Sequence, residues 1–101
     1  MGGMAEVIVT DNPALHRFEA DLDGELAGIA QYQLADGVIT FVHTEVHDAF
    51  EGHGVGSALA RTALESVRRD GSLRVVVTCP FITEWMQRHP GYEDLLVHNP
   101  G

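Results

Sequence analysis

Two stretches of this 101-residue chain gather the side chains that could do chemistry. In His43-Thr-Glu-Val-His47 the histidines and the carboxylate recur at every second position, so an extended backbone sets His43, Glu45 and His47 on one face. A row of this kind can take up or relay a proton. Its residue types also suit a metal, but same-face neighbours on a strand stand ~7 Å apart, too wide to chelate one ion without a bulge. No metal is expected. The second stretch, Phe50-Glu-Gly-His-Gly-Val-Gly-Ser-Ala-Leu-Ala60, alternates glycines ahead of a run with helical spacing. Glycines let backbone N–H groups approach a ligand closely, and a helix N-terminus adds the positive end of the peptide dipoles, so such a loop suits an anion.

Spacing narrows which anion. A phosphate loop ends in Gly-Lys-Ser/Thr, whereas this run is Val55-Gly56-Ser57 and the chain contains no lysine. A dinucleotide fingerprint, Gly-x-Gly-x-x-Gly, also fits badly: the third glycine falls one residue early from Gly52, and Leu59 fills the last place counted from Gly54. What remains is a phosphate-bearing ligand held mainly by amides across Gly52 to Ser57, or a glycine-rich turn with no ligand. His53, inside the loop, can touch phosphate or stay solvated.

Cys79 ends an apolar stretch immediately before a helix. A thiol there has its thiolate stabilised, modestly in the absence of a nearby lysine, and suits nucleophilic attack or simple oxidation. Lone cysteines also pack as small apolar groups, and both roles are open to Cys79. Zinc deaminases share the His-x-Glu sequence but need Pro-Cys-x-x-Cys downstream, and the reversed Cys79-Pro80 with no second cysteine excludes them. Phe81 and Trp85 read as core. His16, His89 and His98 form no arrangement that points to chemistry.

These residues must be held by a fold, and the hydrophobic period shows which. Glu6 to Thr10, Arg17 to Leu22, Glu25 to Leu34 and Val38 to Val46 alternate as strands, with Asp23-Gly24 and Asp36-Gly37 as two-residue hairpin turns. After the glycine loop the period changes. Val55, Ala58, Leu59, Thr62, Ala63 and Val67 recur at spacings of three and four, predicting a helix from Val55 to Asp70 that Gly71 stops. Leu73 to Thr78 is a β-branched run whose continuous apolar character predicts burial on both faces. Pro80 then opens a short helix that His89-Pro90-Gly91 ends. The order predicts an α+β fold: an antiparallel meander, a glycine loop, a helix, a parallel central strand with a right-handed crossover, and a short C-terminal helix.

At 101 residues, 45% of them hydrophobic, residues 1–101 make one domain with a modest core. Met1-Gly-Gly-Met4 reads as an added leader before a native Met4, and Glu6 excludes it as a myristoylation signal. No apolar run approaches the ~20 residues of a membrane span, and no signal peptide is evident, so no membrane association is expected. The single cysteine leaves no internal disulfide and points to a reducing, cytoplasmic setting. The formal charge is −9, with arginine as the sole cation. That argues against nucleic acid and favours cationic partners such as amines or basic peptide tails, although solubility alone accounts for it too.

Glu51-Gly-His-Gly-Val-Gly-Ser-Ala58, following Phe41-Val-His-Thr-Glu-Val46, resembles the acetyl-coenzyme A loop of the GNAT N-acetyltransferase superfamily. More closely, His43 to Val46, Gly52 to Leu59, Cys79-Pro-Phe81, His89-Pro90 and Tyr92 look like the minimal, stand-alone, YjdJ-type GNAT domains. The resemblance spans roughly 7–92. It implies a GNAT-like fold and acetyl transfer from acetyl-coenzyme A to an amine acceptor, a small molecule or a protein. By position, the amides of Gly52, His53, Gly54, Gly56 and Ser57 would bind pyrophosphate, and the strand edge at Thr44 to Val46 would pair with the pantetheine arm. Arg61 either adds a charge contact or is solvated.

Glu51 stands where the wider superfamily has Gln or Arg, so its carboxylate should point away or cap a backbone donor. Glu45, on the strand before the loop and on one face with His43, is placed as a base beside the thioester, and the resemblance implies catalytic roles for His43, for Cys79, and for Tyr92 as the acid that protonates the leaving thiolate. A coenzyme A binding or sensing module with little turnover is the alternative that shares the loop. A ligand-free interaction domain would need no loop function at all.

Overall fold

Apolar alternation and tight turns build the first half of the chain into a meander. The structure, a computed structural model, describes residues 6–97, so the leader Met1 to Met4 and His98 lie outside the described residues. Strands β1 (Val7–Asn12), β2 (Arg17–Leu22), β3 (Glu25–Ala35) and β4 (Val38–Val46) pair antiparallel in chain order. Both Asp-Gly turns take the left-handed conformation at each residue, with φ 52° and 82° at Asp23 and Gly24 and 54° and 78° at Asp36 and Gly37. That pair of dihedrals matches the right-handed twist of the strands it joins.

Helix α1 (Val55–Asp70) follows the glycine loop and ends at Gly71, and strand β5 (Arg74–Val77) returns parallel to β4. Helix α2 (Pro80–Arg88) completes the fold, and among the described residues no helix is long and apolar enough to cross a membrane. The buried stripe of α1 runs through Val55, Leu59, Ala60, Ala63, Leu64 and Val67. Ala58 is half-buried and Thr62 exposed, so the stripe is rotated from the expected one toward Ala60 and Leu64.

The strand order is β1-β2-β3-β4-β5, which makes β5 outermost instead of central. Only Val75 is buried in it; Val76 and Val77 are half-buried and Arg74 is exposed. The expected burial on both faces is not met, because the helices cover a single face of the sheet. Leu96 closes beside Val75 as an isolated parallel bridge, and Val97 N–H donates to the Val75 carbonyl at 2.9 Å. One core results, with Phe18, Ala20 and Phe41 from the sheet, Leu59, Ala63 and Leu64 from α1, and Ile82 and Trp85 from α2. Each large side chain sealed there stabilises the fold by about 1.5–3 kcal/mol relative to exposure. Phe81 departs from the core expectation: it is 42% exposed, its ring lying over Gly56 at the start of α1.

One irregularity decides what faces where. Gln31 pairs with His43 but Tyr32 with Phe41, so Val42 is an extra residue, a β-bulge. Ile39 and Phe41 point into the core before the bulge. After it the phase inverts, and His43 and Glu45 project from the sheet face opposite the helices.

Candidate active site

Strand β4 loses its neighbour at Phe41. The Phe41 carbonyl accepts from both Thr78 N–H, at 3.0 Å, and Cys79 N–H, at 3.2 Å, and the parallel register stops at the Phe41–Val77 pair. Beyond it, His43 to Val46 pair with β3 alone among the described residues. His47 N–H donates to the Ala27 carbonyl at 2.8 Å. Antiparallel bonding alternates, so the main-chain groups of His43 and Glu45 turn toward β3 and those of Thr44 and Val46 toward the unpaired edge. An extended ligand can add itself there as a strand would.

The side chains sort onto two sides of this edge. His43 Nε2 and Glu45 Oε1 are 3.4 Å apart on the open sheet face, each about half exposed at 54% and 55%. The row expected from the sequence therefore forms for these two, while His47 falls past the end of β4. On the other side, the buried Cys79 donates its thiol hydrogen to Thr44 Oγ1 at 3.3 Å. Cys79 is also the N-cap residue of α2, so the thiol sits where β4 and β5 separate. Among the described residues, no three His, Cys, Asp or Glu side chains converge as a metal site requires.

The glycine loop ends a short distance from that edge. A 3-10 turn at Asp48–Phe50 leaves β4, and Gly54, left-handed at φ 75°, caps α1 without a side-chain hydrogen bond. A residue with a Cβ resists this conformation by ~1–2 kcal/mol. The α1 ladder starts with Ala58 N–H donating to the Gly54 carbonyl at 3.0 Å. No side chain or loop carbonyl among the described residues accepts from the amides of Gly52 to Ser57, and the first turn carries no acidic residue. About half a positive charge is thus left without a protein partner at this helix end. Glu51 is exposed, and its carboxylate caps no backbone donor among the described residues. Uncapped amides of this kind can take an anion, and an unpaired strand edge can take an extended ligand.

Tyr92 is drawn elsewhere. Its hydroxyl donates to Glu65 Oε2 on α1 at 2.7 Å, and that bond to a carboxylate, with burial, pushes the phenol above its usual range. It is a weaker proton donor than an ordinary tyrosine, and it is not joined to His43, Glu45 or Cys79. Arg61 is exposed, and its guanidinium lies 5.4 Å from the Trp85 ring centroid. Trp85 in turn donates its indole N–H to Ser57 Oγ at 2.8 Å. Sequence inspection missed this link and the Val42 bulge. The bulge had a signal, because the odd positions of β4 change from apolar (Ile39, Phe41) to polar (His43, Glu45).

This fold has counterparts among known proteins. A GCN5-like protein of Staphylococcus aureus solved by NMR shares the fold with a TM-score of 0.67 at 22% identity, over 91% of this chain and 89% of that one. The ribosomal-protein-S18-alanine N-acetyltransferase of Escherichia coli does so with a TM-score of 0.62 at 15% identity, over 73% of this chain and 50% of the enzyme. In sequence, Protein NATD1 of Bos taurus is 38% identical over 53 residues, which is 52% of this chain and 46% of that protein. The human Protein NATD1 is 34% identical over the same length. This chain thus spans about half the length of the curated relatives it matches. The model of the GCN5-related N-acetyl-transferase family matches residues 17–95, which include β4, the glycine loop and Cys79. The chain therefore belongs to the GCN5-related N-acetyltransferase family.

Proposed function

We propose that this protein transfers an acetyl group from acetyl-coenzyme A to an amine. The observation that carries the proposal is the juxtaposition of the unpaired β4 edge at Thr44 to Val46 with the uncapped amides of Gly52 to Ser57. When bound, the cofactor supplies an activated acetyl thioester. The amides of Gly52, His53, Gly54, Gly56 and Ser57 hold its pyrophosphate, and the main-chain groups of Thr44 and Val46 align its arm along β4.

The amine approaches on the open sheet face, which carries Glu45 and His43. These two take the amine proton as the carbon–nitrogen bond forms and the carbon–sulfur bond breaks. Cys79, on the opposite side of the edge, supplies the proton that the departing sulfur takes up and is reprotonated from solvent. We leave Tyr92 out of that role, because its hydroxyl is joined to Glu65 on α1 and to no group of the β4 edge. Among the described residues no helix walls in the face carrying Glu45, so a large acceptor such as a protein chain can reach it. The acidic balance of the chain favours a cationic one.

Isothermal calorimetry with acetyl-coenzyme A, followed by turnover on a panel of amines, tests the proposal. Glu45→Gln and Cys79→Ala should bind cofactor as the wild type does and lose turnover, Glu45→Gln by roughly 10²–10⁴-fold. Tyr92→Phe should keep it. Intact mass after brief exposure to acetyl-coenzyme A should show Cys79 unmodified, and a stoichiometric, kinetically competent acetyl adduct would replace direct transfer by double displacement. No heat of binding and no thermal shift at millimolar cofactor would refute the proposal.

A further inference from the structure

Ser57 offers more to an anion than its amide, and Trp85 decides that. Ser57 is the third helical residue of α1, half-buried, in the turn whose N–H groups have no protein acceptor. Its Oγ accepts the Trp85 indole N–H at 2.8 Å, while no acceptor for its own hydroxyl hydrogen is present among the described residues. A serine oxygen that takes a fixed donor from one side turns its hydrogen to another. Here that leaves the hydrogen available to the cleft lined by Ser57, Phe81, Trp85, His89 and the ion-paired Glu84 and Arg88, beside the first turn of α1.

The donor is unusually well fixed. Trp85 is 5% exposed and stacked on His89 with ring centroids 4.2 Å apart and planes 16° apart. Arg61 lies against the indole at 5.4 Å, and the His89 N–H donates to the Trp85 carbonyl at 3.0 Å. Few alternative ring positions satisfy all of these at once, so the indole N–H keeps its aim.

We infer that Trp85 is a positioning residue for the phosphate site: its indole N–H orients the Ser57 hydroxyl to donate to a phosphate oxygen at the N-terminus of α1. The inference rests on the acetyl-coenzyme A reading above and adds to it a side-chain donor and the residue that aims it. Hydrogen bonds to charged groups are roughly twice as strong as neutral ones, so the aim matters to affinity.

The experiment measures dissociation constants of acetyl-coenzyme A and of phosphate-free acetyl-pantetheine for the wild type, Ser57→Ala, Trp85→Phe and the double variant. Ser57→Ala should weaken acetyl-coenzyme A by about ten- to a hundredfold. Trp85→Phe keeps most of the ring packing and should weaken it by about three- to tenfold, half an order of magnitude or more. The double variant should bind no more weakly than Ser57→Ala, and acetyl-pantetheine should be insensitive to all three. Trp85 is the chain's single tryptophan, so its fluorescence can follow the titrations of the wild type and Ser57→Ala. Unchanged acetyl-coenzyme A affinity in Trp85→Phe, multiplicative losses in the double variant, or equal losses for acetyl-pantetheine would each overturn the inference and leave the cofactor assignment standing. Failure of the wild type to bind acetyl-coenzyme A would overturn both.

Discussion

Replacing Gly28 with alanine should damage both the fold and the site through a single methyl group. Gly28 lies in β3 opposite Val46, and a Cβ built on it would stand 2.6 Å from the Glu45 carbonyl oxygen, 3.0 Å from Val55 Cγ1 and 3.3 Å from Leu59 Cδ1. Ordinary contact begins at 3.4 Å, so the carbonyl has to retreat by about 0.8 Å. The two side chains can turn aside, but the carbonyl belongs to the β4 backbone and moves only with the strand. Overpacking of this kind costs about 1–3 kcal/mol. Alanine returns roughly 0.5–1 kcal/mol through its lower backbone entropy in a strand, which leaves a net loss of up to about 2.5 kcal/mol, with about 1–2 kcal/mol at mid-range.

For a domain of this size that lowers the melting temperature by roughly 4–16 °C. Urea unfolding followed by far-ultraviolet circular dichroism should show an earlier midpoint with an unchanged slope. Leu59→Ala in the Gly28→Ala background should not restore it, because the carbonyl and not the leucine sets the cost. A Gly28→Ala midpoint at or above the wild type, or full rescue by Leu59→Ala, would refute the reasoning.

Gly56→Ala gives a contrast, since its Cβ would meet the Phe81 ring at 2.6 Å, yet that ring is partly exposed and can swing outward. The ~1 kcal/mol gain in helix propensity should hold the net change in urea unfolding within about 1 kcal/mol, and the Gly56→Ala/Phe81→Ala pair should lose none of that gain to the contact. At alkaline pH, Tyr32 is raised by burial and by donating to Asp11 at 2.6 Å, and Tyr92 by donating to Glu65. Both keep their protons in the folded state after the unfolded chain has released them, so the stability they contribute is full below pH ~10 and falls as pH rises toward the folded values. Each adds at most about 1.4 kcal/mol per pH unit, and with no lysine in the chain Tyr32→Phe or Tyr92→Phe should visibly flatten the limb in pH-dependent melting.

Much of this architecture is written in local sequence. The Asp23-Gly24 and Asp36-Gly37 turns, the strands Arg17–Leu22 and Val38–Val46, and α1 from Val55 to Asp70 stand where period and turn chemistry put them, because each depends on neighbours a few residues away. The glycine loop was legible for the same reason, since an uncapped helix start with left-handed glycines is a local property of the backbone. Other features depended on residues far apart in the chain. That β5 lies at the edge, and that β4 opens past Phe41, follow from which strands pair, and β-branched composition alone is silent on pairing. The partners of Tyr92 and Ser57 are 27 and 28 residues away, so only the packing of α2 and the C-terminal segment against α1 could assign Tyr92 to Glu65 and Trp85 to Ser57. Sequence supplied the residue types that can move a proton or hold a phosphate; the bulge at Val42 and the packing of α2 decided which of them meet.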